Sequence, residues 1–214
     1  MAYDLEEQEQ LDSIKAWWAK YGNLVTWLVI VALAAYAAWT CWNTYQSRQA
    51  GQASVLYEEQ QKSLADKDNA KVQRTAADIQ DKFSGTAYAE MSALVAAKSA
   101  FDANDTDAAR KQLQWVVDHG RGPEYKAIAA VRLAGVMLDA KAYDDALKVL
   151  SGDFPAQFAG AIADRKGDVL LAQGKRDEAR AAYKLALEKT EAKDPSRQLI
   201  QIKLDAIGGE APKA

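Results

Sequence analysis

The sequence predicts an all-α protein: a single N-terminal transmembrane helix followed by an α-solenoid of helical hairpins. Three observations carry this. An uncharged block runs from Tyr21 to Ser47 in a chain that is 27% charged, with mean hydropathy −0.33. After Arg48 the chain is rich in Ala, Leu, Lys and Glu, and its apolar residues recur at spacings of three and four, the helical period. Finally, a pattern of small residues repeats through that region at intervals of 37, 37 and 33 residues, the mark of stacked supersecondary units.

The apolar block is read as an anchor from its length. Leu24 to Trp42 is 19 residues, and at about 1.5 Å per residue it spans roughly 28 Å, close to a hydrocarbon thickness of about 30 Å. Trp17, Trp18 and Tyr21 precede it and Trp39, Trp42 and Tyr45 close it, matching the aromatic belts that form at headgroup level. A cleaved signal peptide would begin with basic residues and have a shorter apolar run. Here the first twenty residues hold five acids and two bases, and the run continues past Ala35-Tyr36-Ala37, which mimics a cleavage site. A buried core helix would be shorter. Lys15 and Lys20 precede the block, whereas Arg48 follows it with no further base until Lys62. This bias places the N-terminus in the cytoplasm and the C-terminal domain outside it. In the leader, Leu5, Leu11, Ile14 and Trp18 fall near one face of a helix with acids opposite. Two readings stand: a solvated tail continuous with the span, or a short helix at the cytoplasmic surface touching a partner.

The repeats explain the remainder. Gly167, Leu170, Gly174, Ala179, Tyr183 and Ala186 occupy the pattern of a tetratricopeptide repeat, whose small residues sit where two antiparallel helices touch. Weaker copies use Ala134, Met137, Lys141, Ala146 and Leu150, and Ala97, Ala100, Asn104, Ala109, Leu113 and Val116. A degenerate first copy uses Leu56, Gln60, Ser63, Val72, Ala76 and Ile79. The longer intervals imply extended helices or turns. Asn104 and Gly174 suit the left-handed conformation that ends a helix. Asp194-Pro195 caps a final helix that closes the stack. The predicted organisation is therefore an acidic leader (1–20), a span (21–47), a tetratricopeptide-like domain (48–208) and a flexible tail (209–214).

Chemistry is hard to place on this chain. A net charge of −3 disfavours nucleic acid. The single cysteine, Cys41, cannot form an internal disulfide. Asp102, Asn104 and Thr106 begin a calcium-loop spacing, but Asp107 and Leu113 stand where glycine and glutamate are required. His119 sits at a helix end without a second histidine. Phosphate-cradling loops and nucleophile elbows are missing from the sequence. No cofactor, metal or catalysis is expected. What remains is a surface. By repeat alignment the first helix of each pair lines the concave side, giving a partner-binding groove of Tyr57, Leu64, Met91, Leu94, Phe101, Ile128, Val131, Leu138 and Leu171. Such a groove suits extended, unfolded or helical peptide; alternatively some of these residues pack against neighbouring helices. Tetratricopeptide domains that grip C-terminal carboxylates carry lysine and asparagine on this face, whereas Asp164 and Asp168 occur here.

The leader, "SIKAWWAKYGN", one span, "WNTYQSRQA" and divergent repeats together resemble the YfgM family of bacterial inner-membrane proteins. The most specific elements are Lys15, Trp17, Trp18 and Gly22 before the span and Trp42 and Tyr45 after it. The resemblance implies a cytoplasmic N-terminus and a periplasmic repeat domain. It implies an ancillary subunit of the SecYEG translocon, beside a membrane-anchored periplasmic prolyl isomerase, assisting exported polypeptides as a chaperone-like scaffold. The competing expectations are an envelope or cell-division scaffold without cargo binding, and a regulator that binds a cytoplasmic stress-response protein through its leader.

Overall fold

The computed structural model describes residues 2–208, with side chains from Gln8 onward. The predicted tail, 209–214, and the Leu5 side chain lie outside the described residues. The chain divides into two compact units, Met1–Gln49 and Ala50–Ala214. Every regular element among the described residues is helical.

The first unit lies within helix α1 (Ala2–Ala65). Its most apolar 18-residue window has mean hydropathy 2.0 and no residue buried by protein, so it is long and apolar enough to cross a membrane. Trp27, Leu28, Tyr36 and Trp39 each expose more than 60% of their surface, which a core helix would not do. Aromatic clusters flank the apolar stretch: Trp17 lies 5.6 Å from Tyr21, and Trp42 lies 6.2 Å from Tyr45. The Trp18 indole covers Gly22, where a Cβ would stand 3.0 Å from its Nε1. The leader is helical and runs into the apolar stretch without a break, leaving Leu11, Ile14 and Trp18 exposed.

The second unit opens with the last turns of α1 and continues through α2 (Asn69–Phe83), α3 (Ala87–Asp102), α4 (Thr106–His119), α5 (Pro123–Asp139), α6 (Tyr143–Val149), α7 (Ala159–Ala172), α8 (Arg176–Lys189) and α9 (Ser196–Ala206). These pair into consecutive hairpins with one repeated turn. Lys67, Asn104, Lys141 and Gly174 are left-handed, with φ of 57, 60, 58 and 79°. In each turn the next amide donates back across the reversal: Asp68 to Ser63 at 2.9 Å, Asp105 to Ala100 at 2.9 Å, Ala142 to Met137 at 2.8 Å and Lys175 to Leu170 at 2.9 Å. This is the Schellman closure of a helix end. In the first two hairpins the following helix is capped at once, Asp68 accepting from the Lys71 amide and Asp105 from that of Ala108. The predicted turns at Asn104 and Gly174 are therefore present, and lysine fills the same position in the other two.

At least half of the shortening of the last interval lies in its first helix: α7 has 14 residues where α3 and α5 have 16 and 17, and the rest lies in the segment between Ala146 and α7. Inside the hairpins, Val72, Ala109, Ala146 and Ala179 are all fully buried, which lets the paired backbones approach closely. One continuous core runs through α3 to α7 around Leu133, Val116, Leu150 and Val169. A second joins α7 and α8 to α9 through Tyr183, Ile200, Leu204 and Ile207, so α9 closes the stack as expected. Its start is held by Asp194, whose Oδ1 accepts from the Ser196 amide at 2.8 Å. The first hairpin relies more on polar groups: the buried Gln60 amide donates to the carbonyls of Val72 and Ser92 at 3.3 and 3.1 Å. Buried Glu90 accepts from the amides of Arg121 and Gly122, fixing the α4–α5 connection.

Two substitutions follow from this geometry. Lys141→Gly should raise the free energy of unfolding by about 0.5–1 kcal/mol, because glycine adopts the left-handed turn without strain; urea titration of the purified protein reads this as a higher midpoint. Gly167→Ala places a Cβ 2.5 Å from Tyr183 Cε1 and should cost about 1–3 kcal/mol by overpacking, whereas Gly51→Ala, with nothing within 4 Å, should be neutral or stabilising in the same titration.

Candidate peptide-binding surface

The first helices of successive hairpins, the end of α1 with α3, α5 and α7, carry the predicted groove residues at different depths. Phe101 is 47% exposed. Tyr57, Met91, Ile128, Val131, Leu138 and Leu171 are half-buried. Of these, Ile128, Val131 and Leu138 pack on the central core, and Leu171 packs on the core under α9. Leu64 is half-buried against Val72 and Ala96. Leu94 is 9% exposed and belongs to the central core itself, so its place is structural rather than on an open face. Leu64, Phe101, Leu138 and Leu171 are equivalent by the turn. The amide of the left-handed residue donates to each of their carbonyls, at 3.1, 3.0, 2.9 and 2.9 Å.

Two features mark the surface. Near the start of α3, Tyr57 and Tyr88 pack with ring centroids 5.7 Å apart, and burial pushes the Tyr57 hydroxyl above its ordinary pKa. Towards the ends of α3 and α5 lies a cleft of about 480 Å³. Its apolar part includes Phe101, Leu113 and Val136, and its charged part is Lys98, Asp102, Arg132, Asp139 and Arg165. Gly135 forms the middle of the α5 wall. A glycine inside a helix costs about 1 kcal/mol relative to alanine, and here Arg165 packs over the bare α5 backbone. The guanidinium Cζ lies 3.5 Å, and both Nη atoms 3.7 Å, from where a Cβ would be.

Arg165 is held by a network that also locks the closing helix. Its Nη1 donates to Asp168 Oδ2 at 3.2 Å. Tyr183 donates its hydroxyl to Asp168 Oδ1 at 2.9 Å, and Lys203 of α9 bonds both Asp164 oxygens at 2.9 Å and Asp168 at 2.8 Å. Asp168 and Asp164 are 15% and 21% exposed. Burial, helped by the neighbouring Asp168 charge, raises Asp164 above its ordinary value despite the Lys203 ammonium. Burial and the bond to Asp168 raise Tyr183 far above its ordinary value. Asp164 and Asp168, whose occurrence in the sequence argues against a C-terminal carboxylate ligand, are both engaged by Lys203, and Asp168 also by Arg165 and Tyr183. Sequence reasoning missed Arg132, Gly135, Asp139 and Arg165. The signal available was the glycine within an otherwise favourable helical stretch, "AVRLAGVMLDA".

Helical hairpins with one repeated turn, preceded by a helix able to cross a membrane, define a tetratricopeptide-like repeat protein with a membrane segment. The tetratricopeptide repeat-like domain family matches residues 15–209. The chain is 35% identical over 208 residues to the "Ancillary SecYEG translocon subunit" of Neisseria gonorrhoeae, covering 97% of this chain and 100% of that one. It is 27% identical over 207 residues to the protein of the same name from Haemophilus influenzae, covering 97% and 100%. Against the one from Escherichia coli it is 26% identical over 204 residues, covering 94% and 96%. The chain belongs to the YfgM family.

The charge network generates a prediction. Lys203→Met leaves two carboxylates facing one another without their ammonium and should cost about 2–3 kcal/mol, somewhat below the loss for a fully buried pair. Asp164 has the opposite pH dependence from an ordinary paired carboxylate. Its native pKa exceeds the unfolded one, so its contribution is largest in acid and declines as pH rises through that raised value. Urea unfolding of the parent protein and Asp164→Asn should show the parent's relative stability falling as pH rises above the unfolded carboxylate value of about 4.

Proposed function

We propose that this chain is an ancillary subunit of the SecYEG translocon, a non-enzymatic, chaperone-like scaffold anchored once in the bacterial inner membrane. The observation that carries this reading is the match, over 97% of this chain and all of the relative, to a protein bearing that name. The physical layout supports it. The segment 21–47 is the anchor, the acidic leader 1–20 lies in the cytoplasm, and the repeat domain from residue 48 lies in the periplasm; Lys15 and Lys20 ahead of the span favour that orientation. Tethering confines the domain beside the channel, where an effective concentration of about millimolar makes weak contacts sufficient.

Exported polypeptides in extended form are the cargo on this reading, and a membrane-anchored periplasmic prolyl isomerase is its neighbour. The first helices receive the cargo. Tyr57 with Tyr88, then Met91, Phe101, Ile128, Val131, Leu138 and Leu171, give part-exposed apolar positions on those helices. Long, thinly anchored side chains such as Met91 adapt to varied sequences.

Two measurements test the proposal. Alkaline phosphatase fused after Ala214 should be active and green fluorescent protein dark; the reverse overturns the topology. A photocrosslinker at Phe101 or Leu138 should trap secretory chains arrested in the channel. Adducts confined to a single folded envelope protein would overturn the chaperone-like role in favour of a scaffold.

A further inference from the structure

We propose that the cleft between α3, α5 and α7 recognises an acidic side chain carried on an extended polypeptide, with Arg132 and Arg165 as its ligands and Phe101 as the wall for a neighbouring apolar side chain. This deepens the reading that the first helices receive polypeptide, and rests on it.

The charges inside the cleft are unevenly satisfied. The Lys98 ammonium is neutralised by Asp102, one turn on, at 2.6 Å. Arg165 shares Asp168 with Lys203 and Tyr183. One contact by Nη1 leaves most of the five guanidinium donors without a protein acceptor. Arg132, on the same wall as Gly135, is exposed and makes no ion pair or side-chain hydrogen bond among the described residues. The cleft therefore offers two guanidinium groups with spare donors, and a planar fork of this kind matches a carboxylate better than an ammonium does. Arg165 is also held in place before any ligand arrives. Asp168 fixes one nitrogen, and the guanidinium rests against α5 at Gly135, both Nη atoms 3.7 Å from where a Cβ would stand, so that only a side chain longer than alanine would displace it. Preorganisation of this sort lowers the ordering cost of binding.

The remaining lining narrows the ligand. Phe101, Leu113 and Val136 give the site an apolar surface beside its cations, which a bare inorganic anion would leave unused. Asp139 lies on α5 two turns beyond Arg132, roughly 10 Å along the helix axis, and also makes no ion pair among the described residues. It opposes a second negative charge and accepts from the backbone amides of a passing chain. A singly charged carboxylate next to an apolar residue, on a chain that continues past Asp139, satisfies all three walls.

The test uses the full-length protein in lipid nanodiscs and fluorescein-labelled decapeptides with blocked ends. Their Gly-Ser-Ala background carries a central Phe-Glu or Phe-Gln, and a third peptide ends in Phe with a free carboxylate. Anisotropy should show Phe-Glu binding about tenfold more tightly than Phe-Gln, with the preference weakening as salt rises. Arg132→Gln, a change at an exposed position, should bring the two within about twofold. Gly135→Leu should fill the cleft and abolish both. Circular dichroism confirms that each variant keeps its helices. Equal affinity for Phe-Glu and Phe-Gln, a preference untouched by Arg132→Gln, or tighter binding of the free C-terminal carboxylate overturns the assignment. If the two blocked peptides bind equally and Gly135→Leu removes both, peptide binding stands and acidic selectivity falls; if none binds below about 1 mM, both fall.

Discussion

The repeat domain depends on a backbone constraint rather than on any one side chain. Each hairpin must reverse direction within three residues, and the chain does so by placing one residue in the left-handed region and returning a hydrogen bond across the helix end. That closure fixes how the second helix leaves the first. The two backbones then run close together, and the contact positions Val72, Ala109, Ala146 and Ala179 have to be small or slender. The regular spacing of small residues in the sequence is thus a downstream image of the turn. Where lysine occupies the left-handed position, at 67 and 141, the turn is paid for by the packing of the hairpins it joins.

A solenoid must also end. At the C-terminal edge α9 covers the last hairpin with Ile200, Leu204 and Ile207, and the join is ionic as well as apolar. Lys203 bridges Asp164 and Asp168, while Tyr183 and Arg165 complete the second carboxylate. An ion pair of this kind adds little net stability once desolvation is counted. Its geometric effect is greater: it fixes the register of α9 on α7 and sets the Arg165 guanidinium at the edge of the neighbouring cleft. Closing the stack and shaping the cleft are the same piece of chemistry.

Much of this was legible in the residues. Length and aromatic flanks identified the apolar helix, and the intervals between Val72, Ala109, Ala146 and Ala179 marked the hairpins. The turns at Asn104 and Gly174 could be read because those residue types favour left-handed backbone; Lys141 was placed only by its alignment with them, and Lys67 was not read at all, because lysine carries no such preference. The concave face was read less well. Repeat alignment favoured apolar residues, and apolar residues on a first helix are pulled toward the core, as Leu94 is entirely and Val131 in part. The residues that line the cleft, Arg132, Asp139 and Arg165, are charged and look in sequence like any solvated helix face. Asp164 and Asp168 looked free only because their partner, Lys203, lies 35 or more positions away in the chain.

Among the described residues, sixteen of the thirty-one buried apolar side chains are alanine. At those sixteen positions the interior has almost no mass to lose. Truncation to alanine, the customary way of asking what a residue contributes, is undefined there. The natural variation this interior tolerates least runs the other way, toward bulk. At the seams occupied by Ala109, Ala146 and Ala179 an added isopropyl group presses on closely paired backbones, so at these positions the domain is sensitive to crowding rather than to voids.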